Sequence, residues 1–250
     1  MRKVSIDNFP ELDFAATEAL NTLCTNLVFC GDSFRRILVT SSQGNEGKSF
    51  ISLGITKTLA SMGYSVLLID GDLRQSVLSK DYGIHYPPDA LGLSHFLSRE
   101  LNMDDVIYAT NFPGAYLLPV GRYVINSMQL LSSWRFEELM SQMAAKVDYI
   151  IVDTPPVGAI VDAAVVAKSC DGAILVAASN IPTKQEFMNA KQQIEMSGCP
   201  VIGAVLNKTT PDRSGSKYYD RYGYRYGYGY GYGYGVRKSD RSGHGTPKEK

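Results

Sequence analysis

The stretch Ile37–Ser49, ILVTSSQGNEGKS, joins a short apolar run to a loop that contains glycine and ends in Lys-Ser. The run Ile37–Thr40 predicts a buried strand, and the pattern of Gly47–Met62 predicts a helix directly after the loop. A loop of this composition between a strand and a helix is the usual setting for phosphate binding. The stretch therefore predicts a phosphate-binding loop within an α/β fold.

The side chains of this loop suit a nucleotide. Gly44 and Gly47 allow main-chain N–H groups to converge on phosphate oxygens. Lys48 can reach the β- and γ-phosphates, and the Ser49 hydroxyl can ligate Mg²⁺. Ser42 stands where the pattern GxxxxGK[ST] has its first glycine, so a glycine-rich turn with a chance Lys-Ser pair is the alternative. The predicted nucleotide-binding residues are Ser42, Gln43, Gly44, Asn45, Glu46, Gly47, Lys48, Ser49 and Phe50.

Short apolar runs alternate with amphipathic stretches along the rest of the chain. The predicted strands are Ile37–Thr40, Ser65–Ile69, Ala115–Leu118, Tyr149–Val152, Ala173–Val176 and Val201–Leu206. The predicted helices are Gly47–Met62, Leu130–Ala145, Val161–Lys168 and Thr183–Met196. Strands that alternate with helices indicate a doubly wound, mostly parallel sheet covered on both faces, as in P-loop NTPases.

Two further predicted strands end in carboxylates. The segment Val66–Arg74, VLLIDGDLR, delivers Asp70 and Asp72 to a strand end, where open α/β sheets bind ligands. One carboxylate could take a proton from an acceptor and the other could serve a metal, although a polar turn or a helix cap is the alternative. The segment Tyr149–Pro156, YIIVDTPP, ends its strand in Asp153, which matches the Walker-B position that holds Mg²⁺.

The pattern divides the chain into three regions. Residues 1–34 have helical spacing and predict a helical segment that could serve oligomerisation, and residues 35–210 predict a P-loop nucleotide-binding domain. Residues 211–250 are almost without aliphatic side chains, contain YYDRYGYRYGYGYGYGYG at Tyr218–Gly235, and predict a disordered tail. The nine tyrosines of this cluster are Tyr218, Tyr219, Tyr222, Tyr224, Tyr226, Tyr228, Tyr230, Tyr232 and Tyr234.

Composition excludes several classes of protein. The chain has 25 basic and 25 acidic residues, so bulk charge indicates no nucleic-acid partner, although residues 211–250 carry nine Lys or Arg against four Asp or Glu. Its four cysteines lack CxxC spacing and suit a reducing cytosol. No apolar run reaches the roughly 18–20 residues of a membrane span, and no apolar signal segment opens the chain. We expect a cytoplasmic protein, unless a partner holds it at the inner face of the membrane.

The three strand-end elements together resemble the cytoplasmic bacterial tyrosine kinases of capsule and exopolysaccharide systems. The resemblance extends through LGLSHFLSRELNMDDVI, YLLPVGR, VDAAVVAKSCDGAILV and VIGAVLNK, and it covers roughly residues 12–210. The tyrosine cluster after residue 210 is the other hallmark of that family. The resemblance therefore implies that residues 35–210 are a P-loop kinase domain and that the nine tyrosines of the cluster are its phosphoacceptors.

The resemblance implies roles for the matching positions. Lys48 would contact the phosphates, and Ser49, Asp72 and Asp153 would serve Mg²⁺. Asp70 is the expected base toward the tyrosine hydroxyl, with Asp72 nearer the metal. Asn207 is expected either to recognise adenine or to be an ordinary turn residue.

The sequence also departs from its relatives. Septum-positioning and plasmid-partitioning ATPases carry an extra lysine in the phosphate loop, whereas this loop has Ser42 and Gln43 there. The kinases usually begin with a helix reading Glu-x-x-Arg-x-x-Arg-Thr-Asn that helps cyclic assembly. Here EALNTLCTNL places Asn21 and Cys24 at the arginine positions, which puts ring formation through that motif in doubt. The stretch VINSMQLL replaces a proline-rich loop of the family.

The expected function is that of an ATP-dependent protein-tyrosine autokinase, with ATP and Mg²⁺, that phosphorylates its tail in trans. The resemblance implies a separate transmembrane activator chain, a homo-oligomer, an opposing tyrosine phosphatase and a role in surface polysaccharide production. The alternative is a nucleotide-switch positioning ATPase of the septum or plasmid type, which has no protein substrate.

Overall fold

The computed structural model describes residues 2–99 and 101–209, and its strands and helices follow the alternation of apolar runs and amphipathic stretches. The strands are Arg2–Lys3 (β1), Ser5–Ile6 (β2), Arg36–Ser41 (β3), Val66–Asp70 (β4), Ile84–His85 (β5), Tyr108–Ala109 (β6), Ala115–Leu118 (β7), Tyr149–Asp153 (β8), Gly172–Ala178 (β9) and Val201–Asn207 (β10). The helices are Phe14–Phe29 (α1), Lys48–Ser61 (α2), Leu78–Asp81 (α3), Leu93–Ser98 (α4), Met103–Val106 (α5), Ser127–Leu131 (α6), Trp134–Ala144 (α7), Asp162–Ala167 (α8) and Lys184–Glu195 (α9).

Eight strands form the main sheet in the order β1-β6-β7-β4-β8-β3-β9-β10. Within this sheet β6 and β7 are antiparallel, and every other neighbouring pair is parallel. Strands β2 and β5 form a separate antiparallel pair. The prediction of a doubly wound, mostly parallel sheet is confirmed.

The order of the strands in the main sheet determines where a ligand-binding crevice can form. Because β8 lies between β3 and β4, the connection from β3 through α2 to β4 and the connection from β8 through α8 to β9 leave in opposite directions. Helix α2 packs on one face of the sheet and α8 on the other. Such a reversal opens a crevice at the carboxyl ends of the strands, where α/β proteins bind ligands.

Two hydrophobic clusters cover the sheet, one on each face. Along β8, Ile150 and Val152 belong to the cluster beneath α7, α8 and α9, whereas Ile151 belongs to the cluster beneath α1 and α2. Side chains alternate in this way because successive residues of a strand point to opposite faces. The central strands therefore read as continuous apolar runs, and all five residues of β4 and of β8 are buried.

The prediction of one continuous helix over Leu130–Ala145 is wrong. The stretch Leu130–Ala145 is interrupted, since α6 ends at Leu131 and α7 begins at Trp134. Ser133 has an extended conformation with ψ of 152°, and its hydroxyl donates to the carbonyl of Leu130 at 2.6 Å. Serine side chains compete with the helical backbone for hydrogen bonds in this manner, which explains the break.

Residues 1–34, predicted as a helical segment, contain two short strands besides α1. Strand β1 pairs with β6 inside the main sheet, and residues 1–209 form one compact unit. On α1, Cys24 is fully buried against the core and Asn21 donates to Glu18 of the same helix at 3.0 Å. Cys24, which stands at an arginine position of the kinases' assembly motif, is thus covered by its own chain and offers no surface to a neighbouring copy.

Among the described residues, no helix combines the length and apolarity that crossing a membrane requires. The tyrosine cluster and the predicted disordered tail, 211–250, lie outside the residues that the structure describes.

Substitution Ile151→Ala tests the central position of β8. Ile151 is 0% exposed, so we expect the free energy of unfolding to fall by about 2–5 kcal/mol through lost burial and a residual cavity. Urea unfolding followed by circular dichroism measures the change. The control is Ile125→Ala, because Ile125 is 94% exposed and its substitution should change stability by less than about 0.5 kcal/mol. Equal effects in both variants would contradict this description of the core.

Candidate active site

The phosphate loop, residues 42–47, connects β3 to α2 and has two residues in left-handed backbone conformations. Asn45 has φ of 61° and Gly47 has φ of 91°. A side chain at Gly47 is excluded for a second reason, since a Cβ there would lie 2.0 Å from Nδ2 of Asn207. Asparagine tolerates the left-handed region better than most residues, which explains how residue 45 adopts this conformation without being glycine.

Glu46 holds the loop together from inside. Its side chain is fully buried, and its Oε2 accepts a 2.7 Å bond from the Gln43 N–H and a 3.1 Å bond from the Ser42 hydroxyl. Ser42, which departs from the glycine of the pattern, therefore gains a partner that glycine could not have. Sequence reasoning placed Glu46 in the loop only by position, because no residue spacing signals a carboxylate turned toward its own loop.

Two residues at the end of β10 brace the same loop. The Asn207 amide donates to the Glu46 carbonyl at 3.0 Å, and the Lys208 ammonium donates to the Asn45 carbonyl at 2.7 Å. The structure therefore brings Asn207 to the phosphate loop, where sequence reasoning had left its role open between adenine recognition and a turn. Lys208 was not predicted, because its contact joins residues 163 positions apart.

The two strand-end carboxylates lie side by side. Asp70 on β4 and Asp153 on β8 are register partners of neighbouring parallel strands, and each is 3% exposed. Burial raises the pKa of Asp153 to about 6, while the Ser49 and Ser52 hydroxyls and the charge of Lys48 act in the opposite direction. Ser52 donates to Oδ1 of Asp153 at 3.1 Å. Lys48 and Ser49, the first residues of α2, thus lower the pKa of the Walker-B carboxylate against the effect of burial.

The pKa of Asp70 is shifted in the same direction. Burial and the neighbouring charge of Asp153 raise the pKa of Asp70 well above its usual value, and a hydrogen bond from the Ser76 hydroxyl opposes them. A buried carboxyl beside a second carboxyl is typical of sites that transfer protons. Asp72 also contributes negative charge to both groups. The structure therefore brings together all three carboxylates predicted from the sequence.

The chain after Asp72 is fixed by an ion pair between an exposed arginine and a buried carboxylate. Oδ1 of Asp72 accepts the Gln75 N–H at 2.9 Å, which makes a tight turn. Arg74 then reaches across to Asp162, with its Nε 2.9 Å from Oδ2 of a carboxylate that is fully buried. The Ser127 hydroxyl donates to the same oxygen at 2.6 Å. Asp162 was not predicted as part of the site, and it anchors the acidic turn from α8.

The donors in this cluster suit Mg²⁺. The carboxylate of Asp153 and the hydroxyl of Ser49 are hard oxygen ligands, the type that magnesium prefers. Within residues 2–99 and 101–209, no group of three His, Cys, Asp or Glu side chains forms a ready-made metal cage. Magnesium is commonly held by one or two carboxylates together with phosphate and water, so this donor set fits it.

One predicted binding residue has its side chain engaged elsewhere. The ring of Phe50 stacks on that of Phe9, with centroids 5.7 Å apart and an interplanar angle of 7°. Lys57 lies 4.8 Å from the centroid of the Phe9 ring. The stack joins the N-terminal segment to the first turns of α2, so the side chain of Phe50 serves packing.

A strand, a loop with Lys-Ser and two strand-end carboxylates define a P-loop nucleotide-binding protein. A family model described as an AAA domain matches residues 34–186. The tyrosine-protein kinase CpsD of Streptococcus pneumoniae serotype 4 is 38% identical over 204 residues, which cover 81% of this chain and 88% of that protein. The chain belongs to the bacterial tyrosine-protein kinases of this P-loop superfamily, and it is a protein-tyrosine kinase.

Solved structures agree with this assignment. The crystal structure of the chimerical protein CapA2B2 matches with a TM-score of 0.72 at 26% identity, covering 84% of this chain and 95% of that one. The septum site-determining protein MinD of Pyrococcus horikoshii, solved with Mg-ADP, matches with a TM-score of 0.59 at 25% identity, covering 72% and 74%. The fold is thus shared with a positioning ATPase. Of these two structures, the chimerical protein has the higher TM-score.

Substitution Glu46→Gln tests whether the buried carboxylate shapes the loop. Loss of its charge should weaken the bonds to Ser42 and Gln43, so the Kd for a nucleoside triphosphate should rise by about 3- to 30-fold. Titration calorimetry with a non-hydrolysable nucleotide measures this. The matched control is Glu195→Gln, since Glu195 pairs with Lys191 on the surface of α9 and should leave the Kd unchanged. An unaltered Kd in Glu46→Gln would refute the assigned role.

Proposed function

We propose that this kinase transfers the γ-phosphoryl group of ATP to tyrosines of its own C-terminal tail, with a neighbouring copy as the acceptor. The observation that carries this proposal is that Asp70 and Asp153 are register partners on neighbouring strands and that Lys48, which follows the phosphate loop, acts on Asp153. The arrangement offers cationic and N–H donors for phosphate and a carboxylate for the acceptor hydroxyl. Both are required for transfer to a phenol.

The mechanism follows from charge and position. Main-chain N–H groups of residues 42–47 and the ammonium of Lys48 would bind the phosphates and align the γ-phosphorus with the incoming oxygen. Magnesium, held by Ser49 and Asp153 with Asp72 close by, would neutralise charge on the phosphates. The tyrosine oxygen forms a bond to the γ-phosphorus as ADP leaves, and the phenolic proton passes to the ionised form of Asp70, which the positive charge of bound magnesium would favour. Since a tyrosine hydroxyl has a pKa near 10, this proton transfer is needed at neutral pH.

The carboxylate assignment distinguishes two roles. Asp153 lies against Ser49 and Ser52 at the start of α2, on the side of the phosphates. Asp70 lies one strand farther from β3, and its hydroxyl partner Ser76 belongs to the segment that leads into α3. This position suits a base that faces the acceptor, and it leaves Asp153 to the metal.

Reach and sequence favour the tail as substrate. Nine tyrosines lie between Tyr218 and Tyr234, and a glycine-rich coil of about 30 residues spans roughly 27–33 Å. That distance is comparable with a small domain, so a neighbouring copy lies within reach. The tail follows β10, whose last residues brace the phosphate loop of their own chain. Transfer between copies is therefore favoured over transfer within one copy.

Partners complete the proposed system. The family resemblance implies a separate transmembrane chain that activates the kinase at the cytoplasmic face of the membrane, and a tyrosine phosphatase that reverses the modification. It also implies homo-oligomers and control of capsule or exopolysaccharide production. These assignments rest on analogy to the family, since fold alone does not define a pathway.

The second candidate is a positioning ATPase without a protein substrate, favoured by the fold shared with MinD. The phosphate loop argues against it. At the position expected for the extra lysine, Gln43 donates from its amide to Glu186 of its own α9 at 2.8 Å. A glutamine there cannot supply a positive charge to a nucleotide in a partner copy. Incubation with γ-labelled ATP separates the two functions, because only a kinase leaves phosphotyrosine on the chain.

Transfer between copies is tested with two complementary variants. One is Lys48→Met with an intact tail, and the other is an active chain in which all nine tail tyrosines are phenylalanine. Mixed with ATP and Mg²⁺, they should yield phosphotyrosine on the Lys48→Met tail, located by mass spectrometry of peptides. Each variant incubated alone is the control and should give no tail phosphate. A mixture without phosphate on the Lys48→Met chain would exclude transfer between copies.

The role of Asp70 is tested by Asp70→Asn. Loss of the base should lower the rate of tyrosine transfer by about 10²- to 10⁴-fold while the Kd for nucleotide changes by less than about threefold. Single-turnover transfer and nucleotide titration give the two quantities. Asp104→Asn, an exposed carboxylate on α5, is the control. If Asp70→Asn weakens binding as much as transfer, Asp70 belongs with the metal.

A further inference from the structure

Ser76 contacts Asp70 through a hydroxyl whose direction is fixed. Its Oγ accepts the Leu78 N–H at 3.2 Å and donates to Oδ2 of Asp70. Because one lone pair of the hydroxyl is taken by the N–H, its proton is directed toward the carboxylate. Ser76 therefore presents a donor to one chosen oxygen of Asp70.

The other oxygen of Asp70 is almost unoccupied. Within residues 2–99 and 101–209, Oδ1 accepts only the Asp72 N–H, at the long distance of 3.4 Å. Such a bond is weak, because hydrogen bonds lose strength beyond about 3.2 Å. The two oxygens of Asp70 are therefore unequal: Oδ2 is committed to Ser76, and Oδ1 keeps the capacity to accept a proton.

Tyr123 fixes Ser76 from the opposite side. Its hydroxyl donates to the main-chain carbonyl of Ser76 at 3.0 Å, while the neighbouring Val124 N–H donates to the carbonyl of Leu73 at 3.0 Å. These two bonds tie the segment after Gly121 to both ends of the turn that follows Asp72. Tyr123 is 58% exposed, so its side chain contributes little to the hydrophobic core.

We propose that Ser76 is a positioning residue for the kinase reaction, which orients Asp70 so that Oδ1 faces the acceptor hydroxyl, and that Tyr123 supports Ser76. The inference rests on the proposed function, since it assigns a purpose to the orientation of Asp70 during tyrosine transfer. Ser76 touches neither nucleotide nor acceptor in this role. A carboxylate free to rotate would present either oxygen, and even small misplacement of a catalytic group slows a reaction strongly.

A purely structural role for Ser76 makes a different prediction. If Ser76 only satisfied the Leu78 N–H at the start of α3, its loss would disturb folding, and any other hydroxyl of the same segment would matter similarly. Ser79 provides that comparison, since its hydroxyl donates to the carbonyl of Ile84 at 3.2 Å without contacting Asp70.

The test compares Ser76→Ala, Ser76→Thr, Tyr123→Phe and Ser79→Ala in the full chain. The Lys48→Met chain serves as acceptor at varied concentration, so that kcat and KM are obtained separately. For Ser76→Ala we expect kcat to fall by about 10- to 100-fold, with KM and the nucleotide Kd within about twofold of the unsubstituted chain. Ser76→Thr retains the hydroxyl and should recover kcat to within about threefold. Tyr123→Phe should lower kcat by about two- to fivefold, and Ser79→Ala should not change it.

Several outcomes overturn the inference. They are an unchanged kcat in Ser76→Ala, a Ser76→Thr variant no more active than Ser76→Ala, or an equal loss in Ser79→Ala. If Ser76→Ala does not fold by circular dichroism, an unchanged kcat in Tyr123→Phe overturns it instead. Absence of phosphotyrosine from the unsubstituted chain would reject the proposed function itself, so the two failures are distinguishable.

Discussion

The burial of two carboxylates in register on neighbouring strands is the constraint to which the rest of the site responds. Taking like charges out of water is unfavourable, and their mutual repulsion adds to that penalty. Around Asp70 and Asp153 the fold supplies hydroxyls from Ser49, Ser52 and Ser76 and the positive charge of Lys48. These groups lower the penalty without removing it, so the site retains a strong preference for added positive charge.

This preference for positive charge arises where the order of the strands brings the carboxylates next to the phosphate loop. Strand β8 enters between β3 and β4, so its last residue stands beside both the phosphate loop and the acidic turn. The turn is held by Arg74 on buried Asp162, and the loop is held by Glu46 and Asn207. Each of the two segments therefore reaches its conformation through contacts of the protein alone.

The sequence predicted those parts of the fold and of the candidate site that a single local pattern determines. Continuous apolar runs predicted the central strands. Lys48 followed from its place after the loop that opens α2, and Asp70 and Asp153 followed from their positions at strand ends. The pattern could not reveal pairings between distant residues, such as Lys208 with the loop or β1 with β6. It also missed the break between α6 and α7, because the serines there look helical in an amphipathic pattern and act through their side chains.

The left-handed conformation of Asn45 restricts how this loop can evolve. Glycine, asparagine and aspartate adopt that region readily, whereas β-branched residues are strongly strained there. Of the single-nucleotide neighbours of an asparagine codon, only aspartate and histidine are likewise enriched in this region. Natural variation at residue 45 should therefore be narrow even though the side chain itself is exposed.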